Sequence, residues 1–246
     1  MSTIKETLAS TTHRPFAMPS GRWVYYQEWN HALFLHWEVS LETLQPLIPE
    51  GVTLDLFEGK AWVSLVGFTM NKIRPRHLPA VSLLSDFHEI NLRTYVTHEN
   101  KPGVYFLNIE AEKLLSVLVA KSMSGLPYEK AEMSRKGLSD GDVYRSHNPQ
   151  KGFRLDVKYK IETVSYRKTP LDFWLTERYC LYVDSHKKIY RYDIHHEEWG
   201  IAPVSLVQLE VNYRKGNLEL NAQPDRMHYS EGVKVLAWRR RKIGLL

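Results

Sequence analysis

Cysteine is nearly absent. Cys180 stands alone in 246 residues, so no internal disulfide can form, which suits a reducing cytosol. It sits in the apolar run Tyr179-Cys180-Leu181-Tyr182-Val183 and reads as a small buried hydrophobe, not a reactive thiol. Long apolar runs are missing too. None approaches a membrane span, and residues 1–12 are polar, without the apolar stretch of a secretion signal. A cytoplasmic, soluble protein is expected. No GxGxxG, Walker-type loop, CxxC, HExxH or His-x-His pattern occurs, so neither cofactor nor metal is expected. The net charge of +5 is modest, and part of it lies in the run Trp238-Arg239-Arg240-Arg241-Lys242. A short terminal run of this kind reads as a solvated strand end. Neither nucleic acid nor membrane is expected as a partner; a small-molecule ligand is, and self-association stays open.

What the chain does have is aromatic, alternating sequence. Hydrophobic residues make up 43% and charged residues 25%, which is globular rather than disordered. Trp (7) and Tyr (14) are abundant, and both favour half-buried pleated surfaces and pocket walls. Strands are predicted at 23–29, 32–39, 53–56, 61–70, 104–107, 153–163, 204–212 and 234–239, with hairpins over 131–146 and 177–195. Helices are predicted after Ser40, which is a good N-cap, over 112–124, and over 169–175 with a proline in the first turn. Residues 1–20 read as an arm, and 21–246 as one domain. The 74–79 segment, with Pro75 and Pro79, reads as a loop carrying Arg74, Arg76 and His77. Many strands, few helices and no parallel strand–helix–strand rhythm indicate a mainly β (α+β) fold: an antiparallel barrel or cone with a few peripheral helices.

The densest chemistry lies at 86–96. There Ile90, Leu92, Thr94 and Val96 share one side of a strand, and Phe87, Glu89, Asn91, Arg93 and Tyr95 share the other. An acid, an amide and a guanidinium in a row, flanked by aromatics, suit a pocket better than a solvated charge ladder. Glu89 and Arg93, four apart, are too distant to neutralise one another and can hold two ends of a small anionic or carbonyl ligand. His36, on the mixed face of the 32–39 strand, and Arg76, in the proline-rich loop, join this set as candidate ligand-binding residues. His195 joins it as an acid or base facing the pocket.

Two motif-like spellings carry less. Gly137-Leu138-Ser139-Asp140-Gly141 has the letters of a nucleophile elbow but lacks the buried strand before it and the helix after it, so a turn is expected. His195-His196-Glu197-Glu198 puts neighbouring histidines on opposite faces of a strand, which prevents them from sharing one ion. The pair Glu177-Arg178 is expected to open a strand, with surface charge as the plainer reading.

Three stretches together resemble the uncharacterised bacterial YqjF-like family. They are WVYYQEWNHALFLHW (23–37), RPRHLPAVSLLSDFHEINLRTYV (74–96), and Leu126-Pro127-Tyr128 together with LTERYCLY (175–182) and Ile194-His195-His196. More faintly, the segment from Asn30 through Leu44, Pro49-Glu50 and Leu54-Asp55, and Glu89 onward to the Leu-Pro-Tyr turn, resemble acetoacetate decarboxylase. That likeness implies a β-cone enclosing a pocket. It implies that Glu89 matches the pocket glutamate, that Tyr128 stands where the Schiff-base lysine would be, and that Asn30 stands where the carboxylate-binding arginine would be. Tyrosine cannot form an imine. Lys130, two residues on, would share a face with Tyr128 if the chain is extended there, and Arg93 is a candidate replacement clamp. The resulting expectation is an enclosed polar pocket for a small carbonyl or carboxylate compound. Glu89, Tyr128 and Lys130 are its candidate catalytic groups, and Asn30, His36, Arg76, Asn91, Arg93 and His195 its candidate ligand-binding groups. A non-catalytic binding or sensing protein is the alternative, and whether the protein is an enzyme stays open.

Overall fold

The computed structural model describes residues 3–113 and 128–245. Its strands, in chain order, are β1 (Tyr25–Val39), β2 (Thr53–Leu54), β3 (Ala61–Pro75), β4 (Phe87–His98), β5 (Lys101–Ala111), β6 (Tyr128–Lys130), β7 (Glu132–Gly137) and β8 (Gly141–Asn148). They continue as β9 (Phe153–Ile161), β10 (Cys180–Ser185), β11 (Lys188–His195), β12 (Ala202–Lys215), β13 (Leu218–Leu220), β14 (Arg226–Ala237) and β15 (Arg241–Leu245). Neighbours run β11-β10-β5-β4-β3-β1-β14, and β11 also pairs with β14, so seven strands close on themselves in a ring. From β14 the pairing continues into a second sheet, β12-β9-β8-β7.

A ring of alternating directions closes only with an even number of strands. Seven require one parallel seam, and it falls between β5 and β10, where Leu181 pairs with Val104 and Tyr182 with Tyr105. The other six pairings of the ring are antiparallel, as expected; outside the ring, β6 also pairs with β5 in parallel.

Over most of their length β3, β4 and β5 are buried on both faces, and ring strands pack one face on the second sheet. Leu33, Leu35, Leu65, Ile90 and Leu92 of the ring share a hydrophobic cluster with Tyr144, Leu155, Val157 and Tyr159 of β8 and β9. The opposite faces turn inward. Phe34, Val66, Phe68, Phe87, Leu181 and Val235, from β1, β3, β4, β10 and β14, form a second cluster. The alternation read at 86–96 is this division: Ile90, Leu92 and Val96 lie in the first cluster, and Phe87 and Tyr95 in the second.

Several sequence expectations change. The strands predicted at 23–29 and 32–39 are one strand, β1, interrupted by a bulge at His31, whose φ is +54°. β3 runs through Arg74 to Pro75, so the loop begins only after that proline, which sits at a strand end, where a missing N–H costs little. The 137–141 turn is the β7–β8 hairpin, as expected. The short helix Pro170–Thr176 has its capping box at Thr169 and Asp172. Glu177 and Arg178 precede β10 instead of opening it, and both are buried. The helix expected over 112–124 falls, from residue 114 on, outside the described residues. The arm carries one helix, Ile4–Ala9, and folds onto the outer side of β1 and β14, where Ile4, Leu8 and Met18 pack on Tyr26, Leu236 and Trp238.

Candidate functional site

The backbone register of β1, β3 and β4 sets the site out as a grid. Glu89 lies opposite Phe68, Asn91 opposite Val66, and Arg93 opposite Ser64. His36 in turn lies opposite Ser64, and Phe34 opposite Val66. β5 adds Ala111 beside Glu89 and Ile109 beside Asn91, and β6 adds Tyr128 beside Ile109. Strand alternation then aims Glu89, Asn91, Arg93 and Tyr95 inward together.

All four are buried, Glu89 at 4% exposure and Arg93 at 7%. The Tyr128 hydroxyl donates to Glu89 Oε2 at 2.8 Å. Burial pushes the Glu89 carboxyl up to about 7, against the lowering effect of hydrogen bonds from Tyr128 and Asn91. Tyr128 itself is pushed well above the ordinary phenol range by burial and by the adjoining carboxyl. Among the described residues Glu89 has no ion-pair partner, so nothing cationic offsets its desolvation. A buried carboxyl that titrates near neutrality can give or take a proton at physiological pH.

Arg93 is the counterpart. Its guanidinium lies 5.8 Å from the centroid of the Phe34 ring and beside Tyr95. Among the described residues no carboxylate reaches it within 4.0 Å, and its Nε has no hydrogen-bond partner. Burial lowers its affinity for its proton, as for any desolvated cation. At rise distances of about 3.3 Å per residue, Glu89 and Arg93 are about 13 Å apart along β4. Each keeps its own environment, acid at one end and guanidinium at the other.

Beyond Arg93 the inner face carries a hydrogen-bonded series. His36 Nδ1 lies 2.6 Å from Ser64 Oγ, and Ser64 Oγ lies 2.6 Å from the Tyr95 hydroxyl. Tyr95 donates to the Leu175 carbonyl at 3.1 Å. Arg178 closes this end, stacked over Trp174 and Tyr95 and ion-paired with Asp55. Sequence reading missed Ser64 and Tyr128's neighbour Ile109 as parts of the surroundings, and for Arg178 it preferred surface charge over the buried ion that the structure shows. For Ser64 a signal existed, because it is the one polar residue in the otherwise apolar 61–68 run.

The remaining predicted residues lie elsewhere. The β1 bulge puts Trp29 among Phe68 and Trp199, while the Asn30 amide donates to Asn71 at 2.9 Å. Asn30 is therefore outside the Glu89–Arg93 set. His195 is fully buried against the arm: its Nε2 meets the Thr7 carbonyl at 2.7 Å and its Nδ1 meets Arg14 at 3.0 Å. Arg76 stacks 4.9 Å over Trp23 in a separate cleft of about 610 Å³ lined also by Arg22, Trp238 and Arg239. Lys130 pairs with Ala111 along β6, but its side chain is exposed. Among the described residues no group of three or more His, Cys, Asp or Glu could hold a metal ion, and no helix is long and apolar enough to cross a membrane.

Residues 26–234 match the DUF2071 family of uncharacterized conserved proteins. The chain belongs to that family. A DUF2071 relative, the uncharacterized protein YqjF of Bacillus subtilis (strain 168), is 35% identical over 231 residues, covering 92% of this chain and 95% of YqjF. Among solved structures, the enduracididine biosynthesis enzyme MppR complexed with pyruvate is similar at a TM-score of 0.64 and 9% identity, covering 94% of this chain and 93% of MppR. An acetoacetate decarboxylase-like enzyme from Sphingomonas wittichii RW1 is similar at a TM-score of 0.61 and 14% identity, covering 95% and 99%. At these identities the likeness is one of fold. This DUF2071 protein thus has the acetoacetate decarboxylase-like architecture expected from its sequence.

Proposed function

We propose that the inner face of the ring binds a small carbonyl or carboxylate compound and moves a proton on it without imine chemistry. Arg93 holds the ligand's anionic end. Glu89 is the proton donor and acceptor, and Tyr128 orients that carboxyl through its hydroxyl. The observation that carries this reading is the pairing of opposites: among the described residues, a buried carboxyl with no cation and a buried guanidinium with no carboxylate, on one face of one strand. Structural ion pairs would normally neutralise such groups. A ligand carrying a carboxylate would complete Arg93 by a bidentate contact. The similar fold of MppR has been solved with pyruvate, a compound of this class.

Tyr128 favours a second reading. The residue standing at the place of the decarboxylase lysine cannot form a Schiff base, and Lys130 is exposed, away from the desolvated setting that activates an imine-forming lysine. A protein that keeps the site and has lost the chemistry would look the same. The two readings separate on Glu89→Gln, assayed for turnover and affinity against small keto acids and ketones. An enzyme loses turnover by at least 100-fold while affinity stays within a few-fold. A binder shows no turnover in either form. Borohydride trapping with the same panel, read by intact mass, is expected to give no adduct. A ligand-dependent mass gain that disappears in Lys130→Ala would overturn the imine-free reading.

A further inference from the structure

The series that ends at Leu175 fixes something no single contact does. Four hydrogen bonds link four groups: His36 Nδ1 to Ser64 Oγ, Ser64 Oγ to the Tyr95 hydroxyl, the Tyr95 hydroxyl to the Leu175 carbonyl, and a longer one of 3.4 Å between His36 Nδ1 and the Tyr95 hydroxyl. The carbonyl only accepts, so the single Tyr95 proton goes to it. Ser64 must then give its single proton to Tyr95. The His36–Ser64 bond is left with only one donor, the His36 Nδ1–H. A neutral imidazole carries one N–H, so Nε2 keeps a bare lone pair. That nitrogen is buried and has no hydrogen-bond partner among the described residues.

The groups facing His36 keep it neutral. They are His228 and Arg226 from β14 and Arg93 from β4, acting against Asp172 from the Pro170–Thr176 helix, which favours the charged ring. Burial is the largest influence, and His228 and Arg93 add to it, holding the ring well below its ordinary value. His228 engages Asp172 Oδ1 through its own Nε2 at 3.1 Å, with its ring 5.6 Å from that of His36.

We propose that His36 is the acceptor end of the inner-face site, its tautomer set by the Leu175 carbonyl through Tyr95 and Ser64, and that Nε2 takes the hydroxyl hydrogen of a hydroxy acid whose carboxylate lies on Arg93. His36, Ser64 and Arg93 are cross-strand neighbours. Their backbones span two strand spacings, about 10 Å, with only the small Ser64 side chain between. An amine in place of the hydroxyl would be an ammonium facing Arg93 and Arg226, so the neutral donor is the one that fits. A ketone oxygen, an acceptor, would meet the lone pair of Nε2 and be disfavoured there. The ligand half of this assignment rests on the reading of Arg93 given above; the tautomer does not. Tyr95 and Ser64 are positioning residues.

The test is long-range proton–nitrogen NMR on the full chain with labelled histidine at pH 7. His36 is expected to show a protonated Nδ1 and a bare Nε2. Tyr95→Phe frees the Ser64 proton for Nδ1 and should shift the population towards the Nε2–H form; Ser64→Ala, if Tyr95→Phe fails to fold, should likewise release the fixed tautomer. Titration with lactate and pyruvate, then 3-hydroxybutyrate and acetoacetate, should move the Nε2 resonance with the hydroxy member of each pair only. Hydroxy-acid affinity should fall at least tenfold in Tyr95→Phe while keto-acid affinity holds or rises. An Nε2–H form in the wild type, or an unchanged tautomer in both variants, overturns the relay. Binding of the hydroxy acids that leaves Nε2 unmoved overturns the hydroxyl contact and spares the anion site. Failure of all four acids to bind overturns the ligand assignment and the Arg93 reading together, while the tautomer result still decides the relay.

Discussion

Glu89 shows how much one residue's surroundings decide. Its folded value of about 7 lies above the ordinary 4.5 because burial disfavours the charge. Between those two pH values the folded state holds more protons than the unfolded one, so stability falls as pH rises across the window and levels off above about 7. The size is roughly 3 kcal/mol, from a shift of that span. Glu89→Gln has no charge to desolvate. It should therefore gain on the wild type between pH 4.5 and pH 8, by a difference of that order in denaturant unfolding. A difference that does not change with pH would show that the carboxyl is solvated after all. At this scale the sequence was informative wherever spacing alone decides direction. Glu89, Asn91 and Arg93 alternate without interruption, so their shared face was visible. His195 alternates as cleanly, yet it meets Thr7, 188 positions away, and nothing in local spacing reports an arm folding back across a strand.

Among the elements, β1 is the instructive one. Its bulge at His31 resets the alternation, so that Ala32 and Phe34 on one side of it and Trp29 on the other all share the inward cluster. Periodicity read across residues 23–39 breaks there, which is why the strand looked like two; Asn30 was named from the decarboxylase likeness alone. The partner strand is shaped to match. Gly232 of β14 lies opposite Asn30 with φ of +132°, and a Cβ there would sit 2.3 Å from the Trp29 carbonyl oxygen. Only glycine permits both the conformation and the approach. Gly232→Ala should cost about 2–4 kcal/mol, read as a lower denaturation midpoint at unchanged slope. A loss under about 0.5 kcal/mol would mean the two strands can separate locally without penalty. The β5–β10 parallel seam was equally hidden, since a parallel neighbour is set by strand count around the ring and not by either strand's residues.

For the whole molecule, a weak point is where the ring closes. β11 and β14 share only two register pairs, Ile194 with Ala237 and His195 with Leu236. The arm lies over this junction. Arg14 donates to the Ile194 carbonyl at 2.9 Å and stacks 4.4 Å over Tyr179, and the Thr7 carbonyl accepts from His195 Nε2 at 2.7 Å. The arm thus does what a longer ladder does between β1, β3 and β4: it satisfies backbone carbonyls and excludes water. Burial, with Arg14 nearby, lowers His195 to about 4. Between about 4 and the ordinary 6.5 the unfolded state therefore holds more protons, and this residue's contribution is present above that window and lost as pH falls through it. Deleting residues 1–20 should do two things together. Amide protection at Ile194, His195 and Leu236 should fall by at least tenfold in hydrogen exchange while β3 and β4 keep theirs. The loss of stability between pH 6.5 and pH 4 should also become shallower, because an uncovered His195 titrates nearer its ordinary value. Equal protection at the junction with and without the arm would mean that the two register pairs close the ring unaided. The inner face, with its grid of Glu89, Arg93 and His36, would then owe its shape to the strands alone.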